Sequence, residues 1–238
     1  MRLKLTVEYD GTPFRGWAAQ PGLPTVEAAV RDALAQTYES FAGLTVAGRT
    51  DAGVHALANV VSVDVDGGPP VERAARALNT RLPDEVSIVS AEAVPPDFSA
   101  RFSARSRSYR YRIYNRRLPS PFERRHSWWV ARSVDEEPLR TAAGLLLGAH
   151  DFRAFTPTQT RHKVFVRTVE RAEWIRRGDH LDFEITADSF LRYMVRTLVG
   201  TMLESGPAEI APLLDGGARD DAGKTAPPWG LYLVSVTY

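Results

Sequence analysis

Alternating hydrophobic and polar positions open the chain and predict its first strand. Leu3, Leu5, Val7 and Tyr9 are separated by polar residues, which is the period of a strand with one buried face. Apolar residues at helical spacing follow Thr25, a residue type that often caps a helix N-terminus. Continued along the chain, these patterns predict the order β-α-β-β-α-β, with elements near residues 3–9, 26–37, 44–47, 61–65, 71–78 and 86–94.

The rest of the chain predicts the same order of elements. Tyr109, Tyr111 and Ile113 alternate with Arg110 and Arg112, so this strand carries its aromatic residues on one face and its arginines on the other. The elements that follow are a helix, a hairpin, a second helix and a final strand, near residues 139–146, 164–175 with 181–185, 190–202 and 231–236.

Two βαββαβ halves indicate an α+β fold. We expect ferredoxin-like halves that form a broad mixed or antiparallel sheet flanked by helices, with a central basic cleft. The junction is expected near Pro95-Pro96-Asp97, which gives domains at residues 1–97 and 98–238. Residues 206–229 are rich in Gly, Pro and Asp, and we expect them to form a surface loop before the last strand.

The composition restricts the class of protein. Apolar residues make up 44% of the chain, which is typical of a folded globular protein, and no apolar run reaches the length of a membrane span. The absence of cysteine excludes disulfides and thiolate metal sites. Residues 1–10 lack the apolar stretch of a signal peptide, so we expect a cytoplasmic protein with no membrane partner.

Charge is concentrated in one segment of the chain. The net charge is only +1, but ten arginines and a single acid, Glu123, lie between Arg101 and Arg132. Guanidinium groups bind phosphates and stack on bases, and aromatic rings stack on unpaired bases. This segment therefore favours nucleic-acid binding, although an arginine-rich solvated surface over core aromatics fits the same pattern. Its aromatic residues are Phe102, Tyr109, Tyr111, Tyr114, Phe122, Trp128 and Trp129.

Residues 48–56 form the densest cluster of candidate catalytic residues. Two glycines allow sharp turns of the backbone, and Arg49 lies two positions before Asp51. A nearby guanidinium favours the ionised carboxylate, which can act as a nucleophile or a base. The same pattern fits a structural loop in which Asp51 caps a turn and Arg49 pairs with it.

The sequence of this cluster, GRTDAGVHA, resembles the signature of the TruA-type tRNA pseudouridine synthases. Three places depart from the family pattern: Ala18 stands where Gln is usual, Ser99 stands where His is usual, and residues 191–193 stand where a His pair is common. Further segments resemble the family in the same order along the chain, at residues 9–12, 16–17, 79–83, 98–104, 109–111, 150–152, 190–200 and 230–233.

The resemblance implies an enzyme that converts uridine to pseudouridine in the anticodon stem-loop of tRNA, at nucleotides 38–40. It implies no cofactor and no metal. It also implies a homodimer, with the tRNA lying across both subunits.

The resemblance also implies roles for single residues. Asp51 is the essential carboxylate, and Arg49 holds it in place and can fill the gap left by the flipped base. Tyr109 stacks on the uracil and assists proton transfer, Arg196 pairs with Asp51 or a phosphate, and Leu231 forms an apolar wall against the base. Without the resemblance, the pattern indicates that Tyr109 and Leu231 are core residues and that Arg196 is a surface residue. Three arginines of the basic segment are expected to bind the RNA, namely Arg101, Arg110 and Arg112.

Other functions remain open from the residues alone. The same chemistry could act on a different RNA, or the chain could be a non-catalytic tRNA-binding protein. A glycoside hydrolase would need a second acid roughly 5 to 9.5 Å from Asp51, and no motif provides one. Gly223-Lys224-Thr225 lacks the rest of a P-loop, and Asp64 and Asp66 fit the polar face and end of a strand. The five histidines lack ligand spacing, so no zinc site is expected.

Overall fold

A computed structural model describes residues 1–160 and 162–238 of the chain. The described residues contain ten strands and five α-helices, which confirms the predicted α+β class. They form two compact units, Met1–Arg105 with Tyr232–Tyr238, and Ser106–Leu231. Among the described residues, no helix combines the length and the apolar character that a membrane span requires.

The elements follow one another along the chain much as predicted. In order, they are β1 (Arg2–Tyr9), α1 (Val26–Thr37), β2 (Ser40–Val46), β3 (His55–Asp66), α2 (Val71–Asn79), β4 (Val86–Ala93), β5 (Ser106–Tyr114), β6 (Trp128–Trp129), α3 (Glu136–Gly144), β7 (Gly148–Asp151), β8 (Val166–Arg177), β9 (His180–Ala187), α4 (Met194–Glu204), α5 (Pro207–Leu214) and β10 (Leu231–Thr237).

The sheet of the first unit is mixed. β1 lies between β4 and β3 and is antiparallel to both, and β2 is antiparallel to residues 61–66 of β3, a range that overlaps the part of β3 paired with β1. β10 runs parallel to β3, with Tyr232 opposite His55 and Leu233 opposite Ala56. The last strand therefore packs with the first unit, whereas the predicted division places it in residues 98–238. The predicted domains 1–97 and 98–238 are based on the repeated order of elements, and this division of the chain stays a prediction.

The hydrophobic pattern of the first unit explains its core. Leu3, Leu5 and Val7 of β1 are fully buried, as their alternation predicts. Thr25 caps α1, since its side-chain oxygen accepts a hydrogen bond from the backbone N–H of Ala28. The helix then buries one face against the sheet, made of Val26, Val30, Ala33 and Leu34.

The second unit contains a sheet in which β5, β9, β8 and β7 are successive antiparallel neighbours. β6 pairs with β5 in parallel. The predicted order of strand, helix, hairpin and helix is present as β5, α3, β8 with β9, and α4. Strands β6 and β7 and helix α5 are additional.

Helix α5 corrects the prediction of a loop over residues 206–229. Pro207 occupies the first turn, where its missing N–H costs no hydrogen bond. Ile210, Leu213 and Leu214 are buried, so the segment contributes to the core of its unit. Only the residues after α5 lack regular elements, apart from two short 3₁₀ turns.

Close packing around α4 leaves no room for a side chain at one of its glycines. A Cβ atom at Gly200 would overlap the carbonyl oxygen of Lys224, which belongs to backbone and cannot rotate away. By contrast, Gly144 at the end of α3 has no atom within 4 Å of the position of a Cβ.

We therefore expect opposite effects from the same substitution at these two positions. Gly200→Ala should lower the free energy of unfolding by about 1–3 kcal/mol through overpacking. Gly144→Ala should raise it by about 0.4–1 kcal/mol, because it lowers the entropy of the unfolded chain. Denaturant unfolding of both variants measures the difference, and a stable Gly200→Ala variant would contradict the observed packing of α4.

Candidate active site

Asp51 lies in the connection between β2 and β3, here called the Asp51 loop (residues 48–54). Its carboxylate is half-buried, and the neighbouring Arg49 is exposed. A turn forms at the end of the loop, where the N–H of Val54 donates to the carbonyl of Asp51 over 3.1 Å. Within the described residues Arg49 forms no ion pair.

A buried asparagine holds the beginning of this loop. The side-chain amide of Asn59, on β3, donates to the carbonyl of Gly48 over 2.8 Å and accepts from its N–H over 3.3 Å. It also accepts from the N–H of Val60 and donates to the phenol oxygen of Tyr9. All four hydrogen-bonding positions of the amide are used, which fits its complete burial.

Tyr9 extends this network to the residue beside Asp51. Its phenol oxygen lies 2.7 Å from Oγ1 of Thr50, and it accepts from Asn59 over 3.2 Å. Because Asn59 donates to the phenol, the phenol hydrogen is free to donate to Thr50. Burial raises the pKa of Tyr9 to about 12, although the hydrogen bonds with Thr50 and Asn59 lower it in part. The phenol is therefore neutral at physiological pH.

The segment after β1 packs directly against the Asp51 loop. The N–H of Trp17 donates to the carbonyl of Thr50 over 3.0 Å, and the N–H of Gly53 donates to Phe14. Gly16 has φ +93°, and a Cβ there would lie 2.9 Å from the Thr50 carbonyl. This close approach of two backbones explains why a glycine precedes Trp17, since any side chain at position 16 would clash.

His55 fixes the end of the loop, where β3 begins. Its ring is buried and stacks on Tyr232 of β10, with the ring centres 4.6 Å apart. Nδ1 accepts from the N–H of Gly11 over 3.1 Å, and Oδ1 of Asp10 lies 3.1 Å from the same nitrogen. The carboxylate of Asp10 also accepts from both the N–H and the hydroxyl of Thr12. The loop is thus attached to β1, β3 and β10 by buried contacts.

Tyr109 lies on β5 in the second unit. Its ring is half-buried and meets Phe190 edge-on, with the ring centres 4.9 Å apart. Tyr111, two residues on, is fully buried and donates to the carbonyl of Pro227 over 2.8 Å. Burial raises the pKa of Tyr111 well above its usual value, and the charge of Arg196 lowers it in part. The aromatic face of β5 therefore contains one fully buried tyrosine, Tyr111, and one half-buried tyrosine, Tyr109.

Arg196 lies in the first turn of α4. Its Nε donates to the carbonyl of Ala226 over 2.8 Å, and its guanidinium lies 4.9 Å from the ring centre of Tyr193. Tyr193 has φ +64°, which makes it the one non-glycine residue with a left-handed backbone among those described. Such a conformation costs about 1–2 kcal/mol. The guanidinium of Arg192 lies over the same ring, at 4.6 Å.

The arginine face of β5 is partly neutralised by β9, which the sequence did not reveal. Arg110 lies opposite Glu184 in the register and pairs with it over 3.0 Å. Arg112 lies opposite Asp182, with 3.9 Å between the charged atoms. Arg177 contacts both acids. Although burial raises the pKa of Glu184, contacts with Arg177 and Arg110 outweigh it and hold that pKa below its usual value.

The remaining predicted substrate-binding residues differ in exposure. Leu231 is buried at the start of β10, where an apolar side chain is expected. Arg101 is exposed, and its guanidinium lies 5.0 Å from the ring centre of Phe102. Sequence reasoning assigned no role in the site to Tyr9, Thr50 or Asn59. Tyr9 and Thr50 lie in segments that resemble the family, and Asn59 is a polar residue between Ala58 and Val60 on β3.

Comparison with known proteins assigns the chain to a family. A family model described as tRNA pseudouridine synthase matches residues 5–103 and 142–238, which is more than half of the chain. The chain belongs to the tRNA pseudouridine synthase family. Its members include proteins named tRNA pseudouridine synthase A from Brucella anthropi, at 42% identity, and from Brucella ovis, at 41% identity. Both alignments cover 100% of this chain and 98% of the relative.

Membership of the tRNA pseudouridine synthase family confirms the predicted resemblance and makes the chain an isomerase. Among solved structures, it is similar to a chain of a Cbf5-Nop10-Gar1 complex, with a TM-score of 0.42 and 14% identity over 97% of this chain and 48% of that one. The Asp51 loop lies within the first matched range, whereas Tyr109 lies between the two.

We expect the Tyr9 network of this synthase to have a measurable signature at high pH. Below pH 10 the phenol is neutral in both the folded and unfolded states, and its stabilising contribution is fully present. Between pH 10 and about 12 only the unfolded state ionises, so the free energy of unfolding falls as pH rises. Tyr9→Phe should lose about 1–3 kcal/mol at neutral pH, since Asn59 and Thr50 lose a buried partner.

Denaturant unfolding of both proteins from pH 7 to pH 11 tests this expectation. The decline above pH 10 should be shallower in Tyr9→Phe than in the wild type. An equal decline, together with unchanged stability at pH 7, would show that the phenol is not held as described.

Proposed function

We propose that this tRNA pseudouridine synthase isomerises uridine in the anticodon stem-loop of tRNA, with Asp51 as its essential carboxylate. The main support is the Asp51 loop, in which Asp51 is half-buried and the loop backbone on both sides of it is held by hydrogen bonds. A carboxylate held in one position reacts without the cost of being ordered during the reaction.

The proposed reaction conserves every atom of the nucleotide. The N1–C1′ bond breaks, the uracil turns, and C5 forms a new bond to C1′. The proton lost from C5 is balanced by a proton gained at N1, so no oxidant and no group donor are required. The uridine must first leave its stack, at a cost of a few kcal/mol.

Residues of the Asp51 loop and of β5 supply the proposed contacts to the base. Arg49 is exposed beside Asp51 and fills the space that the extruded base leaves. Tyr109 stacks on the uracil and assists proton transfer, with its ring oriented by the edge contact to Phe190. Leu231 provides an apolar wall for the base.

Cationic residues of the second unit and of the segment before it supply the proposed contacts to phosphates. Nε of Arg196 donates to the carbonyl of Ala226 and its guanidinium lies over the ring of Tyr193, and the proposed ligand of this guanidinium is a phosphate or a carboxylate. Arg101 is exposed and binds the RNA backbone. Arg110 and Arg112 contribute less, because Glu184 and Asp182 offset their charge.

The wider assembly and its setting rest on the family resemblance and on the sequence pattern. A homodimer with tRNA across both subunits, a central basic cleft, a cytoplasmic location and independence from metals and cofactors all stay predictions. The competing functions are the same chemistry on another RNA and a tRNA-binding protein without catalysis.

Asp51→Asn should abolish pseudouridine formation while tRNA binding survives, because the change removes the charge and keeps the shape of the side chain. Single-turnover assays and filter binding with one tRNA transcript measure the two properties. Asp66→Asn is the matched control, since Asp66 is an exposed aspartate at the end of β3, and it should behave as the wild type. Full activity of Asp51→Asn would reject the assignment.

We expect the modified uridines to lie only in the anticodon arm. Mapping pseudouridine on total tRNA incubated with the enzyme checks the position nucleotide by nucleotide. Modification elsewhere in the tRNA would favour a different target for the same chemistry. Binding without any modification would favour the non-catalytic alternative.

A further inference from the structure

The connection between β5 and β6, here called the Phe122 loop (residues 115–127), presents an unusually exposed aromatic ring. Phe122 is 87% exposed, the largest value among the large apolar residues that the structure describes. Leu118 in the same loop is 64% exposed. A single exposed apolar side chain is common on protein surfaces, so the exposure of Phe122 gains meaning only from the charges beside it in the loop.

The charges around this ring are almost all positive. Arg117, Arg124 and Arg125 are exposed, and none of the three forms an ion pair with any described residue. Glu123 is the one acid in the loop, and it is engaged by His180 at 3.1 Å and by the hydroxyl of Ser127 at 2.9 Å. The surface beside Phe122 is therefore cationic.

The loop is rigidly built rather than loosely connected. The side-chain amide of Asn115 donates to the carbonyls of Val130 and Arg132, both over 2.8 Å. The indole N–H of Trp129 donates to the carbonyl of Arg116 over 2.8 Å. These contacts close the base of the loop and limit its freedom.

Near the tip, backbone turns and prolines restrict the chain further. The N–H groups of His126 and Ser127 both donate to the carbonyl of Glu123 over 3.0 Å. Pro119 and Pro121 flank Ser120, and each fixes its own φ angle. The backbone that carries Phe122 is therefore restricted, which reduces the backbone entropy lost when a ligand binds.

We infer that the Phe122 loop binds an unpaired nucleotide of the substrate RNA. Phe122 stacks on the base, and the neighbouring arginines Arg117, Arg124 and Arg125 contact the phosphates on either side. An exposed ring bordered by unpaired guanidiniums is the combination that single-stranded nucleic acids bind. A protein partner would have to supply several acids to match the same charges.

This inference rests on the proposed function for the identity of the RNA, and it adds a contact outside the residues assigned to catalysis. The loop lies between the two ranges that match the family model, in residues 104–141. Since Phe122 is not among the residues assigned to catalysis, its loss should weaken binding without changing the chemical step.

Phe122→Ala should raise the Kd for a tRNA transcript and for a short unstructured oligoribonucleotide by about tenfold. The KM for modification should rise similarly, with kcat unchanged. Phe122→Tyr keeps the stacking face and should remain within about twofold of the wild type. Because Phe122 is exposed, neither change should alter the thermal unfolding midpoint, which excludes misfolding as the cause.

The arginines have a separate readout. The double variant Arg124→Ala/Arg125→Ala should reduce the slope of log Kd against log salt by about 1.4 to 1.8, as expected for two lost phosphate contacts. The control is Arg73→Ala/Arg76→Ala on α2, which removes two other exposed arginines and should leave the slope unchanged.

Several outcomes would overturn the inference. Unchanged RNA affinity in Phe122→Ala would do so, and so would an equal loss of salt dependence in the α2 control. Conversion of an oligomer to a monomer by Phe122→Ala, with RNA affinity per chain retained, would show that a second copy covers the ring. These results are distinct from a failure of the proposed function, in which the wild type binds RNA but Asp51 is dispensable or no pseudouridine forms.

Discussion

The buried amide of Asn59 is the contact on which the geometry of the Asp51 loop depends. It bonds both backbone groups of Gly48 and also the phenol of Tyr9, which in turn reaches Thr50. Each of these groups is removed from water, so the loss of one partner leaves a cost of about 1–3 kcal/mol. The network therefore selects one backbone path for the loop, and the carboxylate two residues after Arg49 takes its position from that path.

The arginines of β5 and those of the Phe122 loop include two pairs with different physical roles. Arg110 and Arg112 face acids on β9, and their charges stabilise the sheet by pairing across the strands. Arg124 and Arg125 lie in the connection that follows and pair with no described acid. In the fold, the clustered positive charge of the sequence is therefore divided between arginines that pair with acids and arginines that do not. Only the arginines without an acidic partner can replace the counterions of a nucleic acid without first breaking an ion pair.

Helices and strands in which hydrophobic residues recur at a regular spacing were predictable, because burial of one face imposes that spacing on the sequence. β1 and α1 are examples, and Thr25 marks the start of its helix by its chemistry. Helix α5 was missed because it has only eight residues, in a region rich in turn-forming residues. The pairing of Arg110 with Glu184 was not predictable, since it depends on a register between strands 74 residues apart. The hydrogen bond between Asn59 and Tyr9 was not predictable for the same reason, since it joins residues of two strands that are distant in sequence.

The two ends of the chain meet at the Asp51 loop, and this limits how the site can form. His55 closes the loop by stacking on Tyr232 of β10, while Nδ1 of the same ring accepts from Gly11 just after β1. Residues separated by most of the chain must therefore be in place before the loop acquires its final shape. Closing such long loops is slow relative to forming local structure. We therefore expect the side chain of Asp51 to be among the last parts of the first unit to be positioned, although the residues of its loop are contiguous in sequence.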